Sequence, residues 1–177
     1  MPSATASTAR MEAAARRPAL SDFSNVGLML PDLRSRDAAA VVGELCTALN
    51  RAGKIPDVLP FYQAVLGREG LCSTANAPGV ALPHVRTSHL PSLCFALGRT
   101  REPMPWFAGN WPVHLVFLFA VPEQDAATYL TLMSGVARLT QDKLRWPQLL
   151  DAPDAKGMFE VLTEIHLRRP RPAAARS

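Results

Sequence analysis

At 177 residues, 48% hydrophobic and 19% charged, the chain can bury one sizeable core, which excludes disorder throughout. No apolar run approaches the roughly 20 residues needed to cross a bilayer, and residues 1–19 lack the continuous apolar segment of a secretory signal. A soluble, cytoplasmic protein with no membrane span is therefore expected. The net charge of +4 sits at the ends: residues 1–20 carry +2 and residues 168–177 carry +4, leaving −2 for residues 21–167. Short Arg-rich tails are usually solvated, and the body has no recognition motif, so nucleic-acid binding is not expected.

Residues 1–22 read as a flexible arm, residues 23–167 as the folded body and residues 168–177 as a basic tail. Val26–Leu30 is a short predicted strand ended by Pro31-Asp32. Asp37 then caps a helix to about Ala52, with Val41, Val42, Leu45 and Leu49 on one face and Gly53 placed to stop it. A second helix starts near Asp57 with Pro60 in its first turn, where a missing N–H costs little. Leu59, Phe61 or Tyr62, and Leu66 continue its inner face to Arg68-Glu69-Gly70. Residues 73–79 have turn chemistry throughout.

Three strands follow, at about 80–83, 93–98 and 113–120. The last is apolar at nearly every position, as a central strand covered on both faces should be. A loop rich in Pro and Trp, Pro103 to Pro112, separates the second and third. Pro122-Glu123 opens a helix whose Ala126, Leu130, Met133 and Ala137 share a face, and helices at about 142–150 and 154–167 complete the body. This order predicts an α/β fold, a layered sandwich with a mixed β-sheet flanked by helices, in a single domain.

The cysteines, Cys46, Cys72 and Cys94, have no CxxC spacing, and four scattered histidines lack carboxylates at ligand spacing. Neither a disulfide framework nor a metal site is expected, and no cofactor. Cys46 and Cys94 read as buried thiols, and Cys72 as a loop residue. The segment Gly79-Val80-Ala81-Leu82-Pro83-His84 places a histidine at the end of a short apolar run, with proline fixing the backbone before it. Small neighbours leave the ring reachable, which suits an imidazole accepting a group from a large partner. The other reading of a lone histidine, a satisfied structural residue, stands beside it.

Arg68-Glu69, Ser73-Thr74, Gly79 to Thr87, Ala96-Leu97-Gly98-Arg99, Pro112 to Phe117 and Val121-Pro122-Glu123 occur in one order. In that order and spacing the body, over roughly residues 24–167, resembles the enzyme IIA domain of the fructose, mannitol and nitrogen-regulatory branch of the bacterial phosphotransferase system. The resemblance implies that His84 accepts a phosphoryl group from an HPr-type phosphocarrier protein. It further implies that the group moves on to a IIB domain, or that phosphorylation regulates a target protein by contact. A neutral imidazole has one lone-pair nitrogen for such an attack near neutral pH, and its other nitrogen should donate a hydrogen bond that fixes the tautomer.

Arg68, 16 residues before His84, matches the family's site arginine and has a guanidinium able to clamp phosphate oxygens; a helix-end arginine is the structural alternative. Ser73 and Thr74 are candidate phosphate donors or turn formers. Glu69 is expected to orient a neighbour or pair with an arginine, and Arg86 to sit on the partner-facing rim. The family usually places a second histidine early in the helix after Val-Pro-Glu; here Tyr129 stands at that place. His114, on an apolar strand, is a possible substitute or a structural histidine. The expected function is a phosphocarrier of nitrogen-regulatory type, the alternatives being a sugar-specific IIA component or a non-catalytic interaction module.

Overall fold

The apolar run Val113–Pro122 forms a strand buried at every position but His114, and the sheet is assembled around it. The structure is a computed structural model that describes residues 16–168. In chain order its elements are β1 (Met29–Leu30), α1 (Ala38–Arg51), α2 (Val58–Leu71), β2 (Val80–Ala81), β3 (His84–Thr87) and β4 (Cys94–Met104). They continue with β5 (Val113–Pro122), α3 (Ala126–Gln141), α4 (Arg145–Leu150) and α5 (Ala155–Thr163). β4 and β5 pair antiparallel, β1 joins β4 in parallel, and β2 and β3 both run parallel to the far edge of β5. The result is the expected mixed sheet flanked by helices in a single domain. Among the described residues no helix is long and apolar enough to cross a membrane.

β2 and β3 are two halves of one edge strand. Val80 pairs with Leu115, Ala81 with Val116 and His84 with Phe119, so the register is the same on both sides of the break at Leu82-Pro83. Pro83 has no N–H to give a ladder, although its carbonyl accepts from Phe119 at 2.9 Å. His84 therefore begins the second half of the strand; the expected single strand at 80–83, with His84 at its end, is corrected to this broken one.

The helix starts follow the sequence closely. The Asp37 carboxylate accepts from Ala40 N–H at 3.0 Å, that of Asp57 from Leu59 at 3.2 Å and that of Asp154 from Gly157 at 2.8 Å. Gly53, at φ +68°, ends α1 where an L side chain would be strained. Cys46 and Cys94 are buried, and desolvation pushes their thiols up to about 12 and about 11, while Cys72 is exposed.

Other elements differ from the sequence reading. Only Met29 and Leu30 find strand partners, Leu97 and Gly98, and Val26–Leu28 is a 3-10 turn instead. β4 extends to Met104 because that residue still pairs with Val113 across a register shift. On α2 the buried residues are Phe61, Val65 and Glu69, while Leu59 is exposed. On α3 they are Tyr129, Leu132, Gly135, Val136 and Leu139; Leu130, expected inside, is 62% exposed. Gly135 helps to set that rotation: a Cβ there would lie 2.6 Å from Leu167 Cδ2 and 3.1 Å from Leu20 Cδ2.

The two last helices are shorter than expected, at 145–150 and 155–163, and after α5 the chain forms a bridge between His166 and Ala19. That bridge alters the N-terminal boundary. Ala19, Leu20 and Ser21 are buried, so the fold begins before residue 23, the start expected for the body. Residues 1–15 of the expected arm and residues 169–177 of the expected tail lie outside the described residues.

Arg99 fastens these layers from β4. Its guanidinium donates to Pro31 C=O at 3.0 Å and to Leu150 and Ala152 C=O at 2.7 Å each, capping the end of α4. Arg99→Met should lower unfolding free energy by roughly 2–3 kcal/mol, because charged hydrogen bonds are removed and carbonyls are orphaned. The shift of the urea midpoint measures this; an unchanged midpoint would refute the clamp.

Candidate functional site

The break in the edge strand organises the site. Pro83 C=O faces β5, so the preceding Leu82 turns its N–H and C=O to the outer edge. There Thr74 Oγ1 accepts from Leu82 N–H at 3.0 Å, and Leu82 C=O lies 3.1 Å from His84 Nδ1. A carbonyl only accepts, so Nδ1 carries the proton in the neutral ring and Nε2 holds the lone pair. The acceptor that sequence could not name is thus the backbone two residues upstream.

Behind Leu82 lies a carboxylate. Glu69, only 1% exposed, projects from the last turns of α2, and its Oε2 accepts from Thr74 N–H and Thr74 Oγ1 at 3.1 Å each. The same oxygen accepts from Trp106 Nε1 at 2.9 Å. Glu69 thus holds Thr74 and Trp106 by hydrogen bonds. The Thr74 hydroxyl proton is committed to Glu69, which makes Thr74 a support for Leu82 rather than a donor to an incoming group. Ser73 is likewise held by the loop: Ala75 N–H donates to its Oγ at 3.3 Å, and Oγ reaches Trp106 C=O at 3.4 Å.

His84 and Arg86 alternate with Val85 and so point to one face of the sheet. Tyr129 of α3 packs there, its ring centroid 5.1 Å from that of His84 and 5.6 Å from that of Phe119. The Arg86 guanidinium carbon lies 5.7 Å from the Tyr129 centroid, a cation–π distance. Arg68 Nη1 donates to Cys72 C=O at 3.1 Å, the helix-end role, and its charge also acts on His84. The guanidinium's other N–H donors remain for an anion.

His84, Arg68, Glu69, Thr74, Arg86 and Tyr129 are thus brought together, with Ser73 in the adjoining loop. His114 is not. It lies five residues along β5 from Phe119, the partner of His84, which is about 16 Å at strand spacing. Its backbone N–H donates to Gly79 C=O at 2.8 Å. Trp106 is the residue that sequence reasoning missed: it was visible only as part of a Pro- and Trp-rich loop. The available signal was chemical, since a buried indole N–H needs an acceptor.

Burial lowers the His84 pKa below its ordinary 6.5; the Leu82 hydrogen bond opposes this, Arg68 adds to it, Glu69 opposes it and Arg86 adds to it. Burial raises that of Tyr129, against the pull of Arg86 and Arg68, so the phenol is neutral near pH 7. The depressed His84 value has a stability consequence. Above the ordinary value both folded and unfolded states are neutral; below it the unfolded state takes up a proton that the folded state resists, and stability falls. Relative to His84→Gln, the native chain should lose stability between about pH 7.5 and about pH 5.5. Parallel urea titrations at the two pH values test this, and a constant difference between the proteins would contradict it.

A family model described as "Phosphoenolpyruvate-dependent sugar phosphotransferase system, EIIA 2" matches residues 23–165. The fructose-specific EIIABC component of Bacillus subtilis is 28% identical over 134 residues, covering 75% of this chain but 21% of that protein. The chain thus spans about a fifth of that relative's length. The nitrogen regulatory protein of Bradyrhizobium diazoefficiens is 32% identical over 102 residues, 57% of this chain and 67% of the relative. Among solved structures, the nitrogen regulatory protein IIA-Ntr of Neisseria meningitidis superposes with a TM-score of 0.73 at 25% identity, covering 81% of this chain and 98% of that one. The IIA mannitol structure from Escherichia coli, at 14% identity and a TM-score of 0.67 over 78% of this chain and 97% of its own, shares the fold. Because the family match runs from residue 23, ahead of β1, to residue 165, just past the end of α5, with the His84 site inside it, this chain belongs to the EIIA 2 family of the phosphotransferase system.

Proposed function

We propose that the protein is a phosphocarrier that accepts a phosphoryl group on His84 Nε2 from an HPr-type protein. The observation that carries this reading is the Leu82 carbonyl on Nδ1, which leaves Nε2 as the lone-pair nitrogen of a neutral ring. In the transfer the Nε2 pair forms the new P–N bond. The P–N bond of the donor phosphohistidine breaks, and the donor nitrogen keeps the electron pair. Arg68, and Arg86 held across Tyr129, neutralise charge on the phosphoryl oxygens. Glu69, Thr74 and Leu82 orient the ring.

The onward step goes to a IIB domain or is replaced by regulation of a target protein. Supporting the first, one structural neighbour is a complex of mannitol IIA with phosphorylated IIB; supporting the second, nitrogen regulatory proteins are among the relatives. We place this chain on the regulatory side. Ready exchange with a nitrogen-branch carrier, without donation to sugar IIB partners, is the expected pattern, and rapid donation to a sugar IIB reverses the assignment.

The test of uptake is incubation of the full chain with phosphoenolpyruvate, enzyme I and HPr-type carriers, followed by intact mass at alkaline pH. One added phosphoryl group is expected. A second reading, an interaction module that keeps the fold without carrying phosphate, is favoured by the buried, neutral Tyr129 at the second-histidine position. Absence of an added group with several competent carriers would select it.

A further inference from the structure

Trp106 sits in the loop between β4 and β5, outside every segment that marks the family in the sequence. It is fully buried, and the single polar atom of its side chain is aimed at Glu69 Oε2, 2.9 Å away. Glu69 Oε1 has no hydrogen-bond partner among the described residues, so the carboxylate is held through Oε2 alone, by Trp106 and by the two donors of Thr74. A buried carboxylate that loses one of so few donors shifts toward those that remain. That shift disturbs the Thr74 hydroxyl, which donates to Glu69 and accepts from Leu82 N–H. Leu82 in turn presents the carbonyl that holds His84 Nδ1.

We infer that Trp106 is a positioning residue for His84: its indole N–H, acting through Glu69, Thr74 and Leu82, keeps the imidazole in the tautomer that presents Nε2. The loop supports this fixed placement. Gly109 lets it close onto the 73–75 segment, where a Cβ would fall 2.5 Å from Ser73 Oγ and 2.9 Å from Ala75 Cβ. Gly109 N–H also donates to Trp106 C=O at 2.8 Å. The indole thus belongs to a loop that is shaped against the residues it acts through.

The consequence for transfer rests on the phosphocarrier reading, but the tautomer does not, and the test separates them. Long-range 15N–1H NMR of the His84 ring is recorded on the full chain and on Trp106→Phe, which keeps an aromatic ring and removes the N–H. The native ring should be a single Nδ1–H tautomer, and the variant a mixture. Thr74→Val cuts the same relay at a half-buried position and must give the same mixture, which keeps the test valid if Trp106→Phe does not fold. Phe107→Leu, in the same loop and packed on Trp106, is the structural control and should leave the tautomer unchanged.

In the phosphorylation assay both relay variants should take up phosphoryl about tenfold more slowly at saturating carrier, with KM unchanged, as when hydrogen bonds behind a working histidine are removed. A single unchanged tautomer in either folded relay variant overturns the inference, whatever the assay reports. Failure of the native chain to accept phosphoryl overturns the phosphocarrier reading instead and leaves the NMR result standing.

Discussion

His84→Ala is expected to abolish phosphoryl uptake completely, with no added mass at any carrier concentration, while the protein stays folded. The first half follows from chemistry. Uptake needs a neutral nitrogen with an exposed lone pair, and among the residues gathered at the site only His84 supplies one: arginines remain protonated and the Tyr129 phenol is neutral and weakly nucleophilic. His114 cannot take over, because it lies about 16 Å away along β5. The second half follows from packing. The His84 side chain is only half-buried and its main specific contacts are the Tyr129 ring and the Leu82 carbonyl, so alanine removes little of the core. Phosphorylation of the native protein should give one species, substituted on Nε2, in a 31P spectrum at alkaline pH. Full uptake by His84→Ala would place the acceptor elsewhere and end the phosphocarrier reading as stated.

Arg68→Ala should slow uptake by about a hundredfold to a thousandfold, the usual loss when one preorganised donor to developing charge is removed. Its stability should change little, because the bond it gives up, to Cys72 C=O, lies at an exposed helix end. Arg68→Lys should restore only part of the rate, since an ammonium keeps the charge and loses the two-pronged geometry. The measurement is the initial rate of phosphoryl transfer from a fixed carrier, alongside a thermal melt. A native rate in Arg68→Ala would assign the residue wholly to the end of α2, its structural alternative. Arg86 is a second cation at the same histidine and stacks on Tyr129; it explains why loss of Arg68 should be severe and still short of complete.

The aromatic stack bears on the departure of this chain from its family's usual pattern. Where a titrating second histidine is expected, a neutral phenol is buried, and the nearby positive charge comes from guanidinium groups. Arginine keeps its charge across the physiological range, so proton uptake at the site falls to His84 itself.

Much of the architecture was legible along the chain because it depends on local chemistry. Asp37 caps α1 as its position required, α2 starts at Asp57, Gly53 stops α1, and the nearly continuous apolar run of β5 forced cover on both faces. The segments around Arg68 and His84 also carried the family and the candidate acceptor, since those residue types and their spacing are properties of sequence. The errors are of another kind. Leu130 and Ala137 fit an amphipathic helix as well as Leu132 and Val136 do, and the close packing of Gly135 against Leu20 and Leu167 helps to decide which stripe faces inward, with Met133 left at its margin. Residues 1–22 read as an arm because nothing nearby in sequence holds Ala19, which is paired with His166 at the other end of the body.

By itself, then, the sequence determined the helix boundaries set by caps and glycine, the central strand and the residue types at the site, because each depends on neighbours within a few positions. Tertiary structure alone decided that Pro83 splits an edge strand in continuous register, that Leu82 is left to hold His84, and that Trp106 reaches Glu69 across 37 residues of chain. Those contacts satisfy buried polar groups, and a buried donor takes whichever acceptor the packed layers bring within reach, however distant in the chain.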